Sequence, residues 1–160
     1  MRALGTCSYV RAKQNVIIEG ATGTGKRFLA SGLAGTACRA GMRALTVRTP
    51  RLLNELAVAR GDGSCAATLP RIARADVLVR DDLLIAPLKD QDRRDLLEVL
   101  EDRYDRGSTV ITSQVPSRTW HDALGDPTIA DAIFDHAVHN AHLVTLRGPS
   151  MRKRQAVTSE

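Results

Sequence analysis

The sequence predicts one α/β domain whose parallel sheet is covered by helices on both faces. The chain has 160 residues, which suits a single domain because domains usually contain about 100–200 residues. Hydrophobic residues make up 43% and charged residues 26% of the chain, a composition typical of a soluble globular protein. Short apolar runs alternate with helix-length segments from residue 15 onward. This alternation is the pattern of a buried parallel sheet.

Five short apolar runs, most of them rich in β-branched residues, predict the strands. They cover residues 16–18, 43–47, 77–79, 109–112 and 143–146. Aromatic residues make up only 3% of the chain. We therefore expect a core of leucine, valine, isoleucine and alanine, with Trp120 as a packing anchor.

The segments between the strands carry helix signals. Thr49 and Asp126 are each followed by proline, which predicts a helix N-cap and the first helical residue. Apolar residues at three- and four-residue spacings predict a helix over residues 89–106, which Gly107 is expected to end as its C′ residue. We expect a core over residues 15–150, between a short N-terminal tail at 1–14 and a basic tail at 151–160.

The chain carries 23 Lys and Arg against 18 Asp and Glu, a formal net charge of +5. This excess is typical of proteins that bind a polyanion such as nucleic acid. Cys7, Cys38 and Cys65 are odd in number and widely spaced, which predicts a reducing cytoplasm and neither a disulfide framework nor a zinc site. No apolar run approaches the roughly 18–20 residues of a membrane span. We therefore expect a cytoplasmic protein with no membrane partner.

The strongest local motif is a glycine-rich loop between the first predicted strand and the helix after it. Its spacing, G-x-x-x-x-G-K, is that of a P-loop. The backbone N–H groups of such a loop hold phosphate oxygens at the helix N-terminus, and the lysine reaches the β- and γ-phosphates. The predicted nucleotide-phosphate-binding residues are Gly20, Ala21, Thr22, Gly23, Thr24, Gly25, Lys26 and Arg27.

Arg27 departs from the P-loop pattern at the residue that follows the lysine. This position normally carries Ser or Thr, whose hydroxyl is a ligand of Mg²⁺. A guanidinium has only hydrogen-bond donors and cannot coordinate a cation. We therefore expect ATP to bind with Mg²⁺ weakly coordinated or absent.

Two consecutive carboxylates, Asp81 and Asp82, follow the third predicted strand. In a Walker B motif an aspartate at this point holds the metal, and a second carboxylate polarises the attacking water. We predict Asp81 as the metal residue and Asp82 as a catalytic residue. Because strand residues 80 and 82 point to the same face, Arg80 is expected to pair with Asp82.

With these motifs, the chain resembles the IstB-type ATP-binding proteins, helper ATPases of bacterial insertion sequences that are similar to the DnaC helicase loaders of the AAA+ superfamily. The resemblance is carried by NVIIEGATGTGK, ADVLVRDDLLIAPLKDQDRRDLLEVLEDRY, STVITSQVPSRTWHDALGDPTIADAIFDHAVHNAH and LRGPSMRKR. It implies a P-loop NTPase of the AAA+ type, a three-layer α/β sandwich with five parallel strands in the order 5-1-4-3-2. It also implies ATP as cofactor, double-stranded DNA and an insertion-sequence transposase as partners, and a homo-oligomer.

The resemblance further implies roles for residues outside the two motifs. Ser113 and Gln114 occupy the place of the sensor that reads the γ-phosphate, and Arg152 that of a second sensor, so they join Asp82 as candidate catalytic residues. His136 stands where the family carries an arginine finger, which enters the site of a neighbouring subunit. The family also has a long DNA-contacting segment before its P-loop. That segment is short here, so we expect a truncated copy.

Three functions remain open from the sequence. The first is an ATP-binding helper of transposition that assembles on DNA, with hydrolysis impaired by Arg27, Arg80 and His136. The second is a truncated nucleotide- or DNA-binding remnant without turnover. The third is a small-molecule kinase, which the lack of an arginine-rich lid after the third strand disfavours. The resemblance implies an ATPase, while Arg27, Arg80 and His136 depart from its catalytic pattern.

Overall fold

The computed structural model of the chain describes residues 2–148, and it contains the expected five-stranded parallel sheet. The strands are β1 (Asn15–Gly20), β2 (Ala44–Arg48), β3 (Val77–Leu83), β4 (Ser108–Ser113) and β5 (Ala141–Leu146). Their order across the sheet is β2-β3-β4-β1-β5. This is the predicted order 5-1-4-3-2 counted from the opposite edge, and it is confirmed.

Helices connect the strands and cover both faces of the sheet. They are α1 (Arg2–Gly5), α2 (Ser8–Arg11), α3 (Lys26–Arg39), α4 (Thr49–Asp62), α5 (Cys65–Ala73), α6 (Asp90–Arg103), α7 (Trp120–Leu124) and α8 (Pro127–Ala137). A short 3₁₀ turn at Ser117–Thr119 precedes α7. Within residues 2–148, no helix has both the length and the apolar character needed to cross a bilayer.

The core consists almost entirely of aliphatic side chains. One cluster joins α1, α2 and α3 to β1, β3 and β4. A second joins α6, α7 and α8 to the opposite face, and a third lies among α4, α5, α6 and β3. Trp120 is fully buried in the second cluster, and its indole N–H donates to the carbonyl of Val115 at 2.8 Å. The prediction of Trp120 as a packing anchor is confirmed.

The described part of the N-terminal segment does not form a tail. Leu4, Tyr9 and Val10 are buried in the same cluster as β1 and α3, and burial raises the pKa of Tyr9 to about 12. Apolar residues here cover a sheet face that α3 alone leaves open. The packed unit therefore begins before residue 15, while the predicted tail at 151–160 lies outside the described residues.

The ends of the helices follow the sequence signals only in part. The Asp126 carboxylate accepts hydrogen bonds from the N–H groups of Thr128 and Ile129 at 3.0 and 3.1 Å, so this N-cap is confirmed. Thr49 instead lies inside the first turn of α4, with Arg48 at the N-cap. The cap at Thr49 was therefore predicted one residue too late.

The expected role of Gly107 is wrong for a physical reason. Helix α6 ends at Arg103, and Asp105 rather than Gly107 adopts a positive φ, of 57°. A Cβ atom at Gly107 would lie 2.9 Å from the carbonyl oxygen of Ala75. Glycine is thus required there because two backbone segments pack closely.

Asn15 links the start of β1 to the end of α8 on one side and to β4 on the other. Its amide nitrogen donates to the carbonyls of His136 and Ala137 at 2.9 and 3.3 Å, and its amide oxygen accepts from the N–H of Thr109 at 2.9 Å. We expect Asn15→Ala to lower the free energy of unfolding by about 2–3 kcal/mol, because buried partners lose their bonds. Urea denaturation measures this change.

The matched control is Asn140→Ala, because Asn140 is exposed and its side chain donates to the carbonyl of Lys13 at 3.2 Å. Its free energy of unfolding should change by less than about 0.5 kcal/mol. Equal losses in the two variants would contradict the assigned role of Asn15.

Candidate functional site

The P-loop joins the carboxyl end of β1 to the first turn of α3. Gly20 is the last residue of β1 and Lys26 is the first of α3. Gly23 and Gly25 have φ values of 83° and 94°, a conformation that glycine adopts without steric cost. The loop therefore turns its backbone towards the N-terminus of α3, where a phosphate group is favoured.

Gly20 is fixed by the neighbouring strand β5. A Cβ atom at Gly20 would lie 2.5 Å from the carbonyl oxygen of Leu146 and 2.9 Å from the hydroxyl of Thr24. The Thr24 hydroxyl in turn donates to the carbonyl of Ala21 at 2.7 Å. The loop is thus held from both sides.

Lys26 lies across its own loop. Its side-chain nitrogen donates to the carbonyl oxygens of Gly20 and Ala21 at 2.7 and 2.9 Å. Burial lowers the pKa of Lys26, an effect that Asp82 and Asp81 oppose. The ammonium therefore has backbone partners that phosphate oxygens can replace.

Asp81 and Asp82 form a bulge at the end of β3. Arg80 pairs with Ile111 and Leu83 with Ser113, so the two aspartates stand opposite Thr112 alone. Asp82 has a φ of 61°. This irregularity breaks the alternation of side chains along the strand.

Thr112 fills the gap that the bulge leaves. Its hydroxyl donates to Asp81 Oδ1 and accepts the backbone N–H of Asp82, the latter at 3.0 Å. Thr112 is not among the site residues predicted from the sequence. It could have been found from its position on the strand beside the acidic pair, one residue before Ser113.

Both carboxylates bond the guanidinium of Arg27. Arg27 Nε lies 2.5 Å from Asp81 Oδ2, and Nη2 lies 3.3 Å from Asp82 Oδ2. The hydrogen bond with Asp81 raises the pKa of Arg27 more than any other interaction. The predicted metal residue Asp81 therefore contacts an arginine of its own chain.

A second arginine reaches the same acidic pair. Arg48, the last residue of β2, donates from Nε and Nη2 to Asp82 Oδ2 at 3.0 and 2.8 Å. Arg48 is not among the residues predicted from the sequence. It could have been found from its location at the carboxyl end of a parallel strand, where the P-loop and the acidic pair also lie.

The residues present do not fit a bound Mg²⁺. The hydroxyl ligand that normally follows the P-loop lysine is absent, and the guanidinium in its place occupies an oxygen of each carboxylate. A cation at these oxygens would meet the positive charge of Arg27. We therefore assign no step at this site to Mg²⁺.

Arg80 does not pair with Asp82, and that prediction is wrong. Its side chain is only 1% exposed, and its three guanidinium nitrogens have no hydrogen-bond partner among the described residues. Burial, with a smaller contribution from Arg103, lowers the pKa of Arg80 to about 9. The bulge is the physical reason, because it turns Asp82 away from the face that alternation would give it.

The two predicted sensor residues lie in different surroundings. Gln114 is exposed and lines a cavity of about 220 Å³ with the P-loop, Arg27, Phe28 and the acidic pair. Ser113 is fully buried; its hydroxyl donates to the carbonyl of Leu83 and accepts the N–H of Val115, both at 3.0 Å. The structure therefore brings Gln114 to the site but not Ser113.

Of the two candidates nearest the C-terminus, only His136 is described, and it does not line this cavity. Arg152 lies outside the described residues. His136 packs against its own chain, with its ring edge-on to Tyr104 at 5.1 Å between centroids and its Nε2 4.0 Å from Glu101 Oε1. Within the described chain, no three His, Cys, Asp or Glu residues are grouped as metal ligands would be.

Solved structures share this fold. The chain superimposes on the DnaI structure with a TM-score of 0.78 and 20% identity, over 89% of this chain and 81% of that one. The DnaC helicase loader gives a TM-score of 0.74 and 23% identity, over 91% and 89% of the two chains. The domain therefore has the P-loop AAA+ fold.

Sequence relatives are insertion-sequence ATP-binding proteins. The protein y4pL of Sinorhizobium fredii is 48% identical over 147 residues, which are 92% of this chain and 60% of y4pL. The IS1162 protein of Pseudomonas fluorescens is 47% identical over 116 residues, 72% of this chain and 50% of that protein. The chain thus spans about 50–60% of the length of these two relatives. Because the family model described as IstB-like ATP binding protein matches residues 1–159, this chain belongs to the IstB-like ATP-binding protein family.

Proposed function

We propose that this chain binds ATP at its P-loop and serves as an ATP-binding helper of DNA transposition. The observation that carries the proposal is a cavity lined by the P-loop, Lys26, Gln114 and the two aspartates. Lys26 is 8% exposed and already bonded to loop carbonyls. When a triphosphate binds, its oxygens would replace these carbonyls as acceptors for the Lys26 ammonium.

The proposed partners are double-stranded DNA and the transposase of an insertion sequence. The names of the relatives associate them with insertion sequences, and the net charge of +5 favours a polyanionic partner. Assembly of several copies on DNA would bring subunit surfaces to the nucleotide site. We propose Asp82 and Gln114 as the residues nearest the chemistry, with Arg152 as a second sensor.

We further propose that hydrolysis is impaired. Arg27 holds both carboxylates, so Asp82 accepts bonds from two guanidiniums instead of an attacking water. This observation also favours the alternative function, a nucleotide- or DNA-binding remnant without turnover. The two are distinguished by phosphate release in the presence of duplex DNA.

Lys26→Ala tests the proposed function. Charged hydrogen bonds contribute about 1.5–3 kcal/mol each, so we expect ATP affinity to fall about 10–100-fold in isothermal titration calorimetry. The control is Lys13→Ala, because Lys13 precedes β1 at the opposite end of the sheet. Unchanged ATP affinity in Lys26→Ala, or an equal loss in Lys13→Ala, would overturn the proposal.

A further inference from the structure

The charged side chains of the nucleotide site give it a net positive charge without a metal ion. Asp81 and Asp82 supply two negative charges, and Lys26, Arg27 and Arg48 supply three positive ones. With neutral side chains at positions 27 and 48, the site would have one net negative charge, which a divalent cation would convert to one positive charge. The two guanidiniums produce that same net charge.

The hydrogen bonds of Asp81 and Asp82 leave few carboxylate oxygens free to bind a metal ion. Asp81 Oδ1 accepts the Thr112 hydroxyl, and Asp81 Oδ2 accepts Arg27 Nε at 2.5 Å. Asp82 Oδ2 accepts N–H groups of both Arg27 and Arg48. Three of the four carboxylate oxygens are thus bonded within the described chain.

Arg27 can also contact a ligand while it holds the carboxylates. It lines the P-loop cavity, and 61% of its side chain is exposed. A guanidinium has five N–H donors in one plane, and only Nε and Nη2 are used by the aspartates. The remaining donors are available to phosphate oxygens, the anions that arginine forks match best.

We propose that Arg27 and Arg48 are the resident cations of this site, so that it takes a nucleoside triphosphate free of divalent metal. This inference rests on the proposed function for the identity of the ligand. Arg27 is then a specificity-determining residue that selects metal-free nucleotide, and Arg48 positions it through Asp82. Arg27 lies on α3 and Arg48 on β2.

The first test uses Mn²⁺ alone as the probe, on the full chain without nucleotide. Electron paramagnetic resonance measures free Mn²⁺ in titrations of the unmodified protein, Arg27→Thr and the control Arg51→Thr. Arg51 is 77% exposed and lies 3.5 Å from Glu55, away from the acidic pair. We expect Arg27→Thr to gain about tenfold or more in Mn²⁺ affinity, since it loses a positive charge at hydrogen-bond distance. Arg51→Thr should match the unmodified protein.

The second test compares ATP affinity in EDTA and in Mg²⁺ by calorimetry. The unmodified protein should give nearly equal affinities, whereas Arg27→Thr should need Mg²⁺ for tight binding. Arg27→Lys, which keeps the charge but not the planar fork, guards against a folding defect and should stay closer to the unmodified protein. Circular dichroism confirms the fold of each variant.

The outcomes separate this inference from the proposed function. Mn²⁺ binding by the unmodified protein as tight as that of Arg27→Thr would overturn the inference, and so would a strict Mg²⁺ requirement for ATP. Absence of ATP binding under both conditions would overturn the proposed function and, with it, the assignment of the ligand. A gain of Mn²⁺ affinity in Arg27→Thr would then still support guanidiniums in the place of the metal.

Discussion

Phosphate release from ATP should rise about 10³-fold when Arg27→Thr and His136→Arg are combined, relative to very slow release by the unmodified chain. Arg27→Thr removes the guanidinium from both carboxylates and restores a hydroxyl after Lys26. His136→Arg supplies the positive charge that the family resemblance assigns to a neighbouring subunit. An arginine finger alone contributes about 10³–10⁵ in the rate of phosphoryl transfer.

Each single change should recover little, because the remaining defect still limits turnover. His136 packs against Tyr104 within its own chain, so a longer arginine is needed to reach outward. The matched control is Arg27→Thr with His139→Arg, which adds the same charge at an exposed position after α8. Arg80→Leu should leave hydrolysis unchanged, because Arg80 does not touch Asp82.

The measurement is colorimetric phosphate release at saturating ATP, with Mg²⁺ and duplex DNA present. Fast turnover by the unmodified chain would contradict the assignment of Arg27 as an inhibitory substitution. Equal gains in the His136 and His139 variants would show that a general increase in positive charge, rather than a finger, is responsible.

Arg80→Leu should raise the free energy of unfolding by about 1–4 kcal/mol, because apolar residues of similar volume often stabilise sites that bury charge. Arg80 lies between Val79 and the bulge, and its guanidinium has no partner among the described residues. Burial is the main reason that its pKa is lowered to about 9. Leucine removes the cost of desolvation and leaves no hydrogen bond unmade.

Arg103 provides a control with the opposite sign. It is also buried, at 2% exposure, but its guanidinium donates to the Thr109 hydroxyl and to three backbone carbonyls at 2.7–3.0 Å. Arg103→Leu should therefore destabilise the protein by about 3 kcal/mol or more, since four acceptors lose their donor. Urea denaturation of the two variants compares them directly, and destabilisation by Arg80→Leu would contradict the account.

The sequence predicts the sheet and the P-loop well because both depend on local patterns. Apolar runs mark the strands, and the order of strands follows once the family resemblance is identified. The pairing of Arg80 with Asp82 fails because it assumes a regular strand. A bulge depends on the partner strand, here on how Thr112 bonds both aspartates, and no local pattern encodes this.

The remaining differences have the same origin in tertiary contacts. Arg48 joins the site only because β2 ends beside β3, where it pairs with Asp81 in the ladder. Ser113 is the last residue of β4 and is buried like the rest of that strand, whereas Gln114 follows the strand and is exposed. The sequence motif does not show at which of these two residues the buried strand ends.

Because β5 lies so close to Gly20, movement of the P-loop is coupled to this edge strand of the sheet. Not even a methyl group fits between Gly20 and the carbonyl of Leu146, so the P-loop cannot relax towards β5. If the P-loop shifts to accommodate phosphate, the end of β5 must shift with it. Otherwise the last pair of the β1–β5 ladder, Gly20 with Leu146, must separate. Arg147 and Gly148 directly follow Leu146, so the chain leaves the sheet beside the P-loop.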